Sequence, residues 1–481
     1  MNTLGSAQLA ALSGAAGAAL VLTATRRAAL LAGLVLVTFA ELGLVASQAV
    51  ARRIESPAFA ALGVVGFAVV AAIAVALARR PALVTPLLLA AAPFRLPLDF
   101  GREHRFFVAV AAAGQLGRLL PLYVALAATT LLLAWDTLRN GAVQSVTPIV
   151  AWPAAAFVSV AALSLLWTDD LHAATNLLAY FLLPFAVMVG VVARAPFPPW
   201  MPRALAIVGV SLGCLFSAIG LVQAATQTLF FYAPNLEVSN SYSTYFRVTS
   251  LFRDPSLYGR HVVLAIAVML VAVWMRRVRI ALALPVLALL WAGLYFSYSQ
   301  SSFVALFAVT VWIAAVAGGR AVRNAVAVAT AVVVAVGLVA VAVTNASAKR
   351  VTSDRSRRVE LTAHVYRDHP VVGVGLGAQP LASQRIATVK GPVAQFVSHT
   401  TPLTISAELG TVGLLLYAAL IVGAVRLVLA VRGLDEAFGL GVGAVLLALF
   451  VHSLFYSGLL EDPITWFALG AGASCVAAAR A

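Results

Sequence analysis

The sequence is poor in charge and in cysteine. Charged residues occupy 10% of its 481 positions, whereas a soluble domain carries about 25%, so an ordinary soluble protein is excluded. The two cysteines, Cys214 and Cys475, lie inside apolar runs, which disfavours a disulfide framework and a cysteine metal cluster. HExxH and DxD motifs and carboxylates at metal-ligand spacing are also lacking outside these runs, so metal-dependent chemistry is disfavoured.

Long apolar runs are what the sequence has in abundance. Hydrophobic residues make up 62% of the chain, and the mean hydropathy is +1.00. A helix needs about 20 apolar residues to cross a bilayer, and such runs recur from Leu9 to Ala479. Barrel strands would alternate apolar and polar residues, but runs such as 325–343 are apolar on every face. The sequence therefore predicts an all-α, polytopic integral membrane helical bundle of about 12–15 transmembrane helices.

Short basic connectors predict the topology, because positive charge accumulates at the cytoplasmic ends of spans. They are Arg79-Arg80, Arg194 with Arg203, Arg276-Arg277 with Arg279, Arg320 with Arg323, and Arg426 with Arg432. The predicted spans are 7–25, 28–48, 58–78, 81–98, 116–135, 146–166, 172–193, 204–224, 257–275, 279–297, 300–317, 322–343, 403–425, 437–458 and 464–479. Alternation places 225–256 and 344–402 on the outer side.

Two stretches resist this assignment. Arg26-Arg27 and Arg52-Arg53 flank the second span on both sides and cannot both be cytoplasmic, so the orientation of the first two spans stays open. Residues 99–118 are basic and are compatible with a kinked or re-entrant piece. The first 25 residues lack the basic start of a cleavable signal, so we expect the helices themselves to direct insertion.

Four regions follow from this pass along the chain. They are N-terminal transmembrane helices at 1–56, a core bundle at 57–343 that includes the outer loop 225–256, a large outer loop domain at 344–402, and C-terminal transmembrane helices at 403–481.

The outer loop 344–402 carries an unexpected positive charge. It contains eight basic and three acidic residues, so its net charge is +5 within a chain of +15. Topology explains much of the remaining charge, and a nucleic-acid partner is not expected. Arginine binds phosphate oxygens through two donors at once, which suits an anionic substrate presented by the membrane. The alternative is that these arginines bind lipid headgroups or pair with loop acids.

Two outer segments hold the candidate chemistry. The first runs from Arg247 to Arg260 and includes Asp254 and Tyr258. The second contains His399, which precedes a helix started by Pro402. A histidine at the membrane boundary can act as a general base near neutral pH, although most lone histidines are structural. His261, His364 and His369 also lie near arginines, so proximity alone does not single out His399, whereas His104, His172 and His452 have no comparable cationic surroundings.

The glycine-rich run from Gly373 to Gly377 lacks the strand-to-helix context of a nucleotide-binding fold. It predicts a tight turn outside the membrane.

These segments resemble the O-antigen ligase and polymerase superfamily of lipid-linked glycan transferases. The family's arginine-to-tyrosine-glycine pattern is matched from Arg247 through Asp254-Pro255 to Tyr258-Gly259. Ser353-Asp-Arg355 precedes a His369-Pro turn, and His399-Thr-Thr-Pro-Leu403 precedes Glu408-Leu-Gly410, in the family's order. Ser256 and Thr400 depart from the usual asparagines, and Ser297 to Ser302 stands where relatives often have Ser-Arg.

The resemblance implies a GT-C-like fold in the bacterial inner membrane with its active site on the periplasmic face. It implies metal-independent, inverting transfer of O-antigen glycan from undecaprenyl diphosphate to lipid A-core, with no cofactor and with membrane lipids around the chain. His399 would be the catalytic base, and Arg247 and Arg355 would hold the diphosphate. The implied substrate-binding residues are Arg247, Arg260, Arg355, Arg358, Asp254, Tyr258 and Glu408.

Two other functions remain open. A polymerase would use another lipid-linked repeat as acceptor, and no sequence feature separates it from a ligase. A flippase or transporter of lipid-linked glycan would also have many spans, but its charges would line a central cavity. Here the charges gather on one predicted face beside a histidine, which favours a transferase.

Overall fold

The protein is helical throughout the part of the chain that the structure describes. The computed structural model describes residues 3–46, 57–94, 119–141, 143–230, 234–252, 254–343, 355–387, 391–456 and 458–480. No β-strand occurs within these ranges. The α-helices are α1 (Thr3–Thr23), α2 (Arg27–Ala46), α3 (Pro57–Ala78), α4 (Val84–Ala91), α5 (Leu120–Asn140), α6 (Pro148–Leu163), α7 (Leu171–Leu177), α8 (Leu183–Val192), α9 (Met201–Thr226), α10 (Pro234–Tyr242), α11 (Pro255–Trp274), α12 (Ile280–Ser297), α13 (Gln300–Ala317), α14 (Arg320–Val343), α15 (Arg355–Asp368), α16 (Gln379–Ile386), α17 (Thr401–Leu434), α18 (Glu436–Ser453) and α19 (Pro463–Ala478).

Most predicted spans coincide with these helices. Eleven described helical segments are long and apolar enough to cross a membrane, and three shorter apolar ones accompany them. A π-helical turn, Leu178–Leu182, joins α7 and α8 into one such segment. The predicted bundle of membrane helices is therefore confirmed. Two boundaries differ: α4 ends at Ala91, and α5 begins at Leu120. The ambiguous stretch 99–118 lies outside the described residues.

Contacts between connections divide the bundle into two ends. At one end, which we call the His399 end, Thr168 donates to the carbonyl of Leu376 and Asp169 pairs with Arg385. Leu376 and Arg385 belong to the loop 344–402, which was predicted to lie outside, and Thr168 and Asp169 belong to the connection before α7. At the opposite end, Arg194 donates to the carbonyls of Val21 and Ala24. We call this the Arg194 end.

The Arg194 contacts orient the first two helices relative to the bundle. Val21 and Ala24 lie at the turn between α1 and α2, so this turn is at the Arg194 end. The same end holds the connector Arg194–Arg203, which was predicted to be cytoplasmic. The structure thus places the α1–α2 turn at the same end of the bundle as this basic connector, and if the connector is cytoplasmic, Arg26-Arg27 follows the positive-inside pattern.

Glycine allows α1 and α2 to pack as a close hairpin. A Cβ atom at Gly17 would lie 2.7 Å from the Val37 nitrogen, and one at Gly33 would lie 2.8 Å from the Val21 nitrogen. Small residues at such crossings let helix backbones approach in lipid, where van der Waals packing drives association. The hairpin packs mainly against α6 and α8.

The helix α17 is broken at Gly410, and the preceding loop fills the break. Gly410 has φ 64° and ψ −162°, a conformation that a residue with a side chain rarely adopts. The carbonyls of Ala407 and Glu408 accept from the amides of Val374 and Gly375 at 3.0 and 2.8 Å. The amides of Thr411 and Val412 donate instead to Pro370 and Val371, at 2.8 and 3.2 Å. The helix thus lacks two of its own hydrogen bonds at the break, and its four backbone groups bond instead to the loop segment Pro370–Gly375.

The predicted tight turn in this segment is present. Gly373, Gly375 and Gly377 all have positive φ values, between 67° and 92°. At Gly375 an added Cβ would lie 2.3 Å from the Thr168 backbone, so the turn requires glycine to approach the connection before α7. The turn anchors α15 and α16 against the membrane helices.

Candidate active site

His399 lies on a short turn that two other elements hold in place. The side chain of Gln379, the first residue of α16, donates to the Phe396 carbonyl and accepts from the Ser398 amide, both at 3.0 Å. The Thr400 hydroxyl donates to the Leu454 carbonyl at 3.2 Å, beyond the end of α18. The turn is therefore fixed to the loop on one side and to the bundle on the other. Pro402 lies in the first turn of α17, as predicted.

Arg358 on α15 contacts the candidate base. Its Nη1 atom lies 2.5 Å from His399 Nε2, and both side chains are half-buried. A guanidinium has donors only, so Nε2 must accept this hydrogen bond. The contact therefore fixes the imidazole as the neutral tautomer with its lone pair on Nε2. The structure brings together the predicted catalytic histidine and one of the predicted phosphate-binding arginines.

Tyr456 lies on the other side of His399. The ring centroids of Tyr456 and His399 are 6.3 Å apart, and those of Tyr456 and His452 are 5.7 Å apart. The Arg260 guanidinium carbon lies 5.9 Å from the Tyr456 ring centre, close enough for a cation–π contact. Tyr456 thus links the candidate base to two buried side chains beneath it. The sequence had suggested no cation near His452, and the fold supplies Arg260.

Arg260 is held in a buried ion pair. Its Nη1 donates to Asp462 at 2.7 Å and to the Gly458 carbonyl at 3.1 Å, and Arg260 and Asp462 are 3% and 0% exposed. Asp462 also caps α19 by accepting from the Ile464 amide. The Nε and Nη2 groups of Arg260 have no hydrogen-bond partner among the described residues. Part of this buried cation is therefore still able to bind an acceptor.

Arg247 lies at the same end, next to a serine-rich turn between α12 and α13. The Arg247 amide donates to Asn240 Oδ1 at 3.1 Å, and the Arg247 Nε donates to the Ser297 carbonyl at 3.4 Å. Directly after the turn, in the first turn of α13, the Ser301 hydroxyl is 3.1 Å from His452 Nε2. Arg247 and His452 thus both lie beside this turn, while the Arg247 guanidinium makes only one long contact to the backbone.

Asp254 and Tyr258, two other predicted substrate-binding residues, have structural roles. Asp254 caps α11 by accepting from the amides of Ser256 and Leu257. Tyr258 is fully buried between helices and lies against Gly220 and Gly293, which disfavours direct contact with a substrate. Their positions in the arginine-to-tyrosine pattern are explained by helix capping and packing.

Glu408 is 7% exposed and accepts from the amides of Gly377 and Gln379. These contacts hold the glycine turn and the start of α16. The carboxylate also lines a cavity of about 50 Å³ with Thr401, Thr404 and Glu461. Glu408 therefore lies beneath the His399 turn and supports the loop that carries it.

Arg355 is the first residue of α15, and Ser353 and Asp354 lie outside the described residues. Its predicted role in holding the diphosphate stays a prediction.

The sequence did not identify Tyr456, His452 or Asp462 as site residues. They lie at or beyond the end of α18, about 50 residues after His399 along the chain, and only the packing of α11, α18 and α19 brings them near it. A usable signal was the acidic pair Glu461-Asp462 before Pro463, in a connection predicted to lie on the outer side.

Part of the chain is similar to a known family. Residues 285–418 match a family model described as O-antigen ligase, and this segment contains Arg358, His399 and Glu408. The match confirms the resemblance to the O-antigen ligase superfamily. No curated protein matches the chain.

Proposed function

We propose that this protein of the O-antigen ligase superfamily transfers O-antigen glycan from undecaprenyl diphosphate to lipid A-core oligosaccharide, on the periplasmic face of the bacterial inner membrane. The family match supports ligase- or polymerase-type function in general. The observation that carries the more specific proposal is the contact between Arg358 and His399 within the matched segment. It joins a phosphate-binding group to a group that can accept a proton.

The donor half of the reaction needs stabilisation of an anionic leaving group. As the bond between the sugar's anomeric carbon and the diphosphate oxygen breaks, its electron pair leaves with the diphosphate. Positively charged donors aimed at that oxygen stabilise the developing charge. Arg358 and the unpartnered edge of Arg260 can supply such donors, and Arg247 and Arg355 come from the two predicted diphosphate-binding segments. This arrangement supports transfer without a metal.

The acceptor half needs a base. His399 Nε2 carries a lone pair and can take the proton of the acceptor hydroxyl as the new bond from oxygen to the anomeric carbon forms. Attack on the face opposite the leaving diphosphate inverts the anomeric centre. The chain's remaining polar groups at this end, such as Glu408, support the turn on which His399 lies.

Reconstitution with purified lipid-linked glycan tests the proposal. The full chain is supplied with donor and with either lipid A-core or a second lipid-linked repeat as acceptor, both at saturating concentration. Glycosylated lipid A-core is the expected product. A lengthened lipid-linked glycan would show a polymerase instead, and movement of the donor across the bilayer without transfer would show a flippase.

The catalytic assignment is tested in the same assay with His399→Ala. Positioned proton transfer contributes about 10²- to 10⁴-fold, so the variant should bind donor but lose at least about 100-fold in the rate of transfer. Thr400→Ala, which removes only the hydrogen bond to Leu454, is the matched control and should be far milder. Full activity of His399→Ala would rule out His399 as the base.

A further inference from the structure

The atom of His399 that must accept a proton is already engaged. Arg358 Nη1 donates to Nε2, and a guanidinium cannot accept a hydrogen bond in return. In this state Nε2 has no lone pair available for an acceptor hydroxyl. The contact with Arg358 therefore places the lone pair on Nε2 and at the same time keeps that lone pair from accepting a proton.

A diphosphate group is a better partner for Arg358 than a neutral imidazole. A phosphate oxygen carries negative charge, so it attracts the guanidinium more strongly than a neutral nitrogen does, and arginine pairs with phosphate oxygens through two parallel N–H groups. The Arg358 side chain is half-buried, so it can rotate without leaving a deeply buried site. An anion arriving beside His399 would therefore draw the guanidinium away from Nε2.

We propose that Arg358 is a switch that keeps His399 capped until the donor's diphosphate binds. Binding transfers the Arg358 donors from Nε2 to the phosphate oxygens, and Nε2 then becomes available to the acceptor hydroxyl. The donor must therefore bind before the acceptor can be deprotonated. This inference rests on the proposed function, because it takes the anion to be the donor's diphosphate.

The switch differs from two simpler roles for Arg358. If the arginine only binds phosphate, the state of His399 would not depend on it. If it only orients the imidazole, an added anion would not change the exposure of Nε2. The switch alone predicts that anion binding and reactivity of His399 are coupled through one side chain.

Carbethoxylation by diethyl pyrocarbonate measures the coupling, because this reagent reacts with the lone pair of a neutral imidazole. The full chain is treated in detergent at pH 7, and modification of the peptide containing His399 is followed by mass spectrometry. Inorganic diphosphate is the probe anion. We expect it to raise the rate at His399 about tenfold, the factor that loss of a charged hydrogen bond would produce. An unchanged or slower rate in the wild-type protein would overturn the switch.

Arg358→Met removes the donors and keeps the length of the side chain. In this variant His399 should react about tenfold faster than in the wild type without diphosphate, and diphosphate should have no effect. Arg385→Met is the matched control, since Arg385 is an exposed arginine of the same loop that pairs with Asp169, and it should respond as the wild type does. Equal rates in Arg358→Met and wild type would also overturn the proposal.

The measurement does not use glycan transfer. Failure of the proposed function, seen as full transfer by His399→Ala, can therefore be distinguished from failure of the switch. The comparison of the wild-type protein with and without diphosphate also tests the switch without any substituted protein, so it does not depend on whether a variant folds.

Discussion

Arginines at the two ends of the bundle are bound in opposite ways. Arg194 donates through all three nitrogens to the carbonyls of Gln144, Val21, Gly190 and Ala24. Burial lowers the pKa of Arg194 to about 10, so it stays charged at neutral pH. Arg260 leaves two nitrogens unpartnered among the described residues, and Arg358 contacts a titratable ring. An arginine saturated by backbone carbonyls fastens helix ends, whereas one with donors to spare can bind a substrate.

Glycines differ between the same two regions. Gly17 and Gly33 keep helical backbones and allow α1 and α2 to touch. Gly375 and Gly410 have positive φ values and let the loop enter the break in α17. The hairpin is thus built for close packing, and the His399 end is built to hold irregular backbone and charge within the bundle. The following substitutions test this contrast, from the largest expected effect to the smallest.

Asp462→Asn should destabilise the His399 end most. Asparagine can still cap α19, but the substitution leaves Arg260 as an uncompensated buried charge, which costs about 3–5 kcal/mol. The free energy of unfolding in detergent would measure this loss. Asp169→Asn, in an exposed pair with Arg385, is the control and should cost at most about 1 kcal/mol. Equal losses in the two variants would mean that the buried ion pair holds the His399 end no more strongly than the exposed one.

Tyr456→Leu should reduce transfer about 10- to 100-fold through kcat, because a small displacement of a catalytic group has effects of this size. Tyr456→Phe keeps the ring contacts with His399 and Arg260, so this variant should keep most of the wild-type rate of transfer. Phe455→Leu removes a neighbouring exposed ring and should leave transfer unchanged. A rise in KM with unchanged kcat in Tyr456→Leu would assign the ring to substrate binding and not to positioning of the base.

Gly17→Ala should cost about 1–3 kcal/mol of stability by overpacking the hairpin, since the new Cβ would meet the Val37 backbone. Transfer by the folded fraction should be unaffected. Gly209→Ala is the control, because nothing lies within 4 Å of its Cβ position in α9, and removing a helical glycine should stabilise by about 0.5–1 kcal/mol. A loss of kcat in Gly17→Ala would show that the α1–α2 hairpin affects the candidate site, and the hairpin would then not serve packing alone.

The helices could be predicted because lipid imposes a simple rule on sequence. Each crossing needs a long apolar run, so 14 of the 15 predicted spans overlap described helices closely, and α4 is shorter than the predicted 81–98. The orientation of α1 and α2 could not be predicted, since Arg26-Arg27 and Arg52-Arg53 compete as signals. The contacts of Arg194 place their connecting turn at the Arg194 end of the bundle, which no local pattern encodes.

The candidate site was predictable only where its residues follow local patterns. His399 and Glu408 stand close together in sequence, and Glu408 lines a cavity with Thr401, two residues after His399. Asp254 and Tyr258 belong to an equally clear pattern, but one caps a helix and the other is buried. Tyr456 reaches His399 only through helix packing, which no local spacing encodes.

The break at Gly410 makes the outer loop part of the membrane helix itself. Unpaired backbone groups in lipid cost several kcal/mol each, so α17 cannot be completed at this depth without the carbonyls and amides of 370–375. The loop precedes α17 in the chain, and the hydrogen bonds between them require residues 370–375 to be packed in the break when α17 is complete. Packing of the loop and completion of the helix thus become one cooperative folding step, and the turn that carries His399 is held in place only when both are complete.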